Sequence, residues 1–62
     1  MKNFIKVTQL NNQGTCINVS NIIMFYRKTQ DYTGIKTVDG VEIECKQTIE
    51  ELEKLIDDAS AL

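Results

Sequence analysis

Ile22-Ile23-Met24-Phe25-Tyr26 is the stretch on which the reading of this chain turns. It is an unbroken apolar run, rich in β-branched and aromatic residues and bounded by Ser20-Asn21 and Arg27-Lys28, and short runs of this kind read as strands. Successive strand side chains point to opposite faces, so a regular strand puts Ile22, Met24 and Tyr26 on one face and Ile23 and Phe25 on the other. A lone helix covers one face of a small antiparallel sheet, and water wets the other. A strand apolar on both faces therefore calls for a second covering surface, most simply another copy of the chain.

The neighbouring segments are patterned differently. Ile5-Lys6-Val7-Thr8-Gln9 alternates apolar and polar, the signature of a half-buried strand. Asn11-Asn12-Gln13-Gly14 is a cluster of turn formers. Thr15-Cys16-Ile17-Asn18-Val19 resumes the alternation, so the two segments read as a hairpin. Ser20-Asn21 breaks the pattern before the double-faced strand, which runs to about Lys28. Thr29 to Gly34 is polar and reads as a loop, and Ile35-Lys36-Thr37-Val38 as a short strand. Asp39-Gly40 is a strong hairpin signal. Val41-Glu42-Ile43-Glu44-Cys45-Lys46 then alternates cleanly, which sends Val41, Ile43 and Cys45 inward and Glu42, Glu44 and Lys46 toward water.

One helix follows, over 48–62. Thr48 and Glu51 have the spacing of a capping box, in which each side chain bonds the other residue's backbone N–H. Glu50, Glu51 and Glu53 suit the positive end of the helix dipole. Ile49, Leu52, Leu55, Ile56 and Ala59 recur at helical spacing and form one apolar stripe for the sheet. Asp57 and Asp58 oppose the dipole at the other end, so the last turn through Leu62 is expected to fray. The expected fold is α+β: one domain over 1–62, with a small antiparallel sheet of four to five strands in 1–46 and a C-terminal helix.

Size and charge bound the function. A domain of 62 residues buries only about 60% of the surface its unfolded chain exposes, so it is marginal unless stapled. Cys16 and Cys45 allow at most one internal disulfide. With no histidine in the chain, their wide separation does not match a structural zinc pattern. No apolar stretch follows Met1-Lys2-Asn3-Phe4 as in a secretory leader, and none approaches a membrane span. Reduced thiols and a cytoplasmic location are the expectation. Association is then the remaining stabiliser. The net charge is −2 and the largest basic cluster is Arg27-Lys28, which argues against nucleic-acid binding.

The candidate chemical groups read mostly as structural. Glu42 and Glu44 share a strand face, but two solvated acids lack the environment that raises a catalytic carboxyl's pKa. Cys16 and Cys45 read as inward-packed small hydrophobes, although Cys45 lies just before the helix start and beside Lys46. Asp31 is too isolated for a metal site. Gly14, Gly34 and Gly40 are dispersed and form no phosphate-cradling loop. Tyr26, Arg27 and Tyr32 are residue types enriched at binding hot spots, and they read equally well as a strand end and a polar loop. The expected interface is Ile22, Ile23, Met24, Phe25, Tyr26, Arg27 and Tyr32. No cofactor, metal ligand or catalytic residue is expected.

The order of elements resembles that of the small FlbD-like flagellar and swarming-motility proteins. Thr8-Gln9-Leu10-Asn11 is similar to that family's Thr-x-Leu-Asn-Gly, with Asn12 in place of its glycine. Asn18 and Ile22 match further positions. Thr33, Ile35 and Gly40 fall on Thr-x-Ile-x-Leu-x-Asn-Gly, with Thr37 and Asp39 as substitutions. Cys45, Lys46, Gln47, Thr48 and Glu50-Glu51 fall on the family's apolar-Lys-Glu-Ser and acidic helix, with Gln47 for its glutamate. The resemblance spans most of the chain through turn and core residues, which specify a fold more than a function. It implies a divergent, non-enzymatic member, with carriage by a phage or mobile element as an expected setting, and it carries over no catalytic residues. The functional expectation is a self-associating protein-interaction module that modulates a larger, unidentified protein. The alternative is a small nucleic-acid-binding regulator.

Overall fold

A computed structural model describes residues 3–60. Five strands precede one helix: β1 Phe4–Thr8, β2 Gly14–Asn18, β3 Ile22–Arg27, β4 Thr33–Thr37, β5 Glu42–Cys45 and α1 Ile49–Ser60. The α+β class expected from the sequence holds, but the strands do not form one sheet. β1 and β2 make a two-stranded sheet, and β3, β4 and β5 a three-stranded one in that order, all antiparallel. The division has a local cause: β1 meets β5 for little more than one bridge, Gln9 with Cys45, before the chain turns away. Gln9 N–H donates to Gln13 O at 2.8 Å, and Asn12 takes a positive φ of 70° to complete the turn.

The joint between the sheets is built from the segment after β5. Lys46 N–H donates to Thr8 O at 2.8 Å. The side-chain carbonyl of Gln47 accepts from Thr8 N–H at 2.9 Å, and its backbone carbonyl accepts from the Thr33 hydroxyl at 2.8 Å. Gln47 thus ties β1 and β4 to the residue that precedes the helix. Thr48 N–H then donates to Glu51 Oε1 at 2.8 Å, and Glu51 N–H to Thr48 Oγ1 at 3.1 Å, so the capping box is formed. The helix proper starts at Ile49, with Thr48 as its cap. The expected fraying through Leu62 lies partly outside the described residues.

The core lies where the two sheets and the helix meet. Ile5, Val7, Ile17, Ile35, Cys45 and Leu52 are buried, and Val19, Ile22, Phe25, Ile43, Leu55, Ile56 and Ala59 pack around them. Of the helical stripe read from the sequence, Leu52, Leu55, Ile56 and Ala59 are used, and Ile49 is not part of this cluster. Two inward expectations fail. Cys16 is exposed, because the pleat that buries Ile17 and half-buries Thr15 turns the residue between them outward. Val41 is 49% exposed, because the β4–β5 ladder begins only at Glu42 and Val41 lies between the turn and that strand.

The decisive correction is in β3. Ile22 pairs with Thr37 but Met24 pairs with Lys36, so two steps along β3 match one along β4 and Ile23 is the extra residue of a β-bulge. A bulge shifts the phase of the alternation by one. Ile22 and Phe25 therefore both pack against the core. Met24 and Tyr26 share the opposite face, and Ile23 is left out at 62% exposure. The simple two-set division expected for the strand does not hold, and the core takes one residue from each set.

Candidate interaction surface

The outer face of the three-stranded sheet follows from the register. Tyr26 lies opposite Gly34, Gly34 opposite Glu44, Met24 opposite Lys36, and Lys36 opposite Glu42. This face is not the pair of independent solvated acids expected from the sequence. Lys28 Nζ stands 2.6 Å from Glu42 Oε2 and 2.7 Å from Glu44 Oε2. Glu42 and Glu44 are half-buried. The ammonium and a hydrogen bond from Tyr26 hold the Glu42 carboxyl below its ordinary range. The same hydrogen bond raises the Tyr26 hydroxyl, and the two carboxylates raise Lys28. Gly34 makes the cluster possible: a β-carbon there would lie 3.2 Å from both Glu42 Oε2 and Tyr26 Cζ. A carboxylate held this way is poor equipment for proton transfer, which needs a pKa near the working pH.

Apolar exposure gathers elsewhere, at the Asp39-Gly40 end of the sheet. Val38 is 61% exposed and Val41 49%, on either side of the turn. Val38 N–H donates to Asn21 O at 2.8 Å, which brings it beside the start of β3 and the exposed Ile23. Phe4, 45% exposed, faces Val41 across a shallow groove of about 330 Å³ whose lining includes Cys16, Ile17, Asp39 and Ile43. The turn is fixed from within. Gly40 takes a φ of 86°, and the Asp39 carboxylate accepts from the Thr37 hydroxyl and from Val41 N–H, which lowers its pKa.

The residues expected at an interface are dispersed by this geometry. Ile22 and Phe25 face the core, and Tyr26 is occupied with Glu42. Arg27 Nη1 caps the loop by donating to Gln30 O at 3.1 Å. Tyr32 is half-buried, and its carbonyl accepts from the N–H groups of Lys28 and Thr29. Only Ile23 and Met24 are both apolar and exposed. Phe4, Val38 and Val41 were not anticipated. The available signal was their position, Phe4 ahead of the alternating run and the two valines flanking a tight turn, where a strand's facial pattern no longer governs exposure.

The thiols differ. Cys45 is fully buried, and desolvation raises its pKa, as expected of a core filler. Cys16 lies opposite Lys6 across β1 and β2. Among the described residues no three His, Cys, Asp or Glu side chains gather to hold a metal ion, and no helix is long and apolar enough to cross a membrane. In comparisons with known proteins, no family model, curated protein or solved structure matches the chain.

Proposed function

We propose that this chain is a non-enzymatic protein-interaction module that self-associates and modulates a larger protein partner. The observation that carries the reading is the exposure of Ile23, Val38, Val41 and Phe4, with Phe4 and Val41 lining one groove and Val38 hydrogen-bonded to Asn21 beside the start of β3. Isolated exposed apolar residues are ordinary, whereas a contiguous group marks a contact surface. The size of the domain supports the same reading, since a chain of 62 residues buries a limited share of its surface and association adds burial. The carboxylate pair tied to Lys28 and the buried, raised Cys45 thiol support a role without catalysis.

The test is the mass of the purified chain by light scattering. A mass above the monomer's supports the reading, and a monomer at high micromolar concentration overturns self-association. The FlbD-like resemblance belongs to the same reading, with a partner-bound role for which retention of the target must be lost in Val38→Lys. Salt-sensitive retention on heparin, with a monomeric mass, would instead favour a nucleic-acid-binding regulator.

A further inference from the structure

The geometry points to a specific mode of self-association: two copies pair their β3 strands edge to edge, antiparallel about a two-fold axis beside Phe25, which joins two three-stranded sheets into one of six. This deepens the self-association proposed above and rests on it.

β3 ends its sheet, so one side of its backbone pairs with β4 and the other with no strand among the described residues. Lys28 N–H donates to Tyr32 O at 3.1 Å. In an antiparallel ladder hydrogen-bonded and non-hydrogen-bonded residues alternate. Lys28, Tyr26 and Met24 therefore turn their backbone groups to β4, and Phe25 and Arg27 turn theirs to the free edge. Such groups are a template for another strand.

Parity and side chains select the occupant and the register. The charges of β3 and its following residue, Arg27 and Lys28, lie at one end of the strand. A second copy running antiparallel about Phe25 places its Arg27 opposite Ile23 and keeps the two Arg27 residues about 13 Å apart along the strand, beyond the roughly 8 Å screening length of physiological salt. The Arg27 stem then covers the apolar Ile23. On the outer face Met24 of each copy falls beside Tyr26 of the other, a sulfur–aromatic contact. An axis beside Met24 would instead set Arg27 against Asn21 and leave Ile23 without the Arg27 stem. An axis beside Tyr26 would set Lys28 against Met24 and leave Ile23 uncovered.

Amide hydrogen exchange tests this without altering the chain. The N–H groups of Phe25 and Arg27 should gain protection as concentration rises, in step with the dimer mass from light scattering. Ile23→Lys should weaken the dimer roughly tenfold or more while leaving the monomer's thermal unfolding in place, since Ile23 is outside the core. In a Cys16→Ser background, Met24→Cys with Tyr26→Cys should form cross-strand disulfides between copies. A dimer whose Phe25 and Arg27 amides exchange at the same rate at all concentrations, or whose affinity Ile23→Lys leaves unchanged, overturns this mode and leaves self-association standing. A monomer at all concentrations overturns both.

Discussion

Lys28 Nζ lies 2.6 Å from Glu42 Oε2, an oxygen shielded from solvent by the side chains around it. The pair joins the end of β3 to β5 across the intervening strand, so it braces the sheet through side chains where no backbone ladder connects those strands. Lys28→Met should raise the Glu42 pKa toward its ordinary value of 4.5, because the largest influence lowering it is removed. Carboxyl titration by NMR in both proteins checks this, and an unmoved Glu42 would show that Tyr26 alone sets it.

Gly34→Ala should lower stability by about 1 kcal/mol, the lower range for overpacking a filled site. The added β-carbon meets the Tyr26 ring and the Glu42 carboxylate at 3.2 Å, and Lys28 restrains the carboxylate from moving aside. Urea unfolding measures the cost, and a perturbed Tyr26 ring signal would show that the loss comes from the outer face.

Thr48→Ala should cost about 1 kcal/mol, the usual loss for an N-cap. Both reciprocal bonds with Glu51 depend on Thr48 or its backbone. The denaturation midpoint reads the effect, and Thr48→Ser should restore most of it.

Cys16 should react with a thiol reagent without denaturant, and Cys45 only on unfolding. Exposure separates them, with Cys16 open and Cys45 at 0% exposure, and desolvation further disfavours the Cys45 thiolate. One equivalent modified quickly and a second only in denaturant is the expected count. Two fast equivalents would mean that the core opens readily around Cys45.

Stability should fall at both ends of the pH range. Glu42 and Asp39 have lowered folded pKa values, so their contribution is present above their ordinary values of 4.5 and 3.8 and is lost as acid protonates them. Lys28, Tyr26 and Cys45 have raised values, so theirs is present below 10.5, 10.0 and 9.0 and is lost as pH rises through the folded values. Thermal unfolding across pH should show a plateau between about 5 and 9. In Lys28→Met the acid limb should flatten.

The hairpins, the helix and its cap were legible because each is a local device. Asn12 and Gly40 supply positive φ, and Thr48 with Glu51 satisfies N–H groups within one turn. What was not legible depends on partners distant in the chain. The bulge at Ile23 is visible only against Thr37 and Lys36. The clamp on Glu42 and Glu44 needs Lys28, which lies 16 residues from Glu44 in the chain, and the joint at Gln47 needs Thr8, 39 residues away. The expected interface erred for the same reason. Alternation alone assigned Ile22 and Phe25 to opposite faces, and the register with β4 brings both into the core.

The bulge also has a bearing on how this chain tolerates changes in length. Removing one residue from a regular strand inverts every side chain beyond the cut. Removing Ile23 would do the reverse: Ile22, Met24 and Phe25 would then follow one another as in, out, in, the orientation each already has. A shortened sequence would keep its core and lose only an exposed side chain. Chains of this type with and without the extra residue are thus expected to be interchangeable in fold, and to differ in what the edge of the sheet presents.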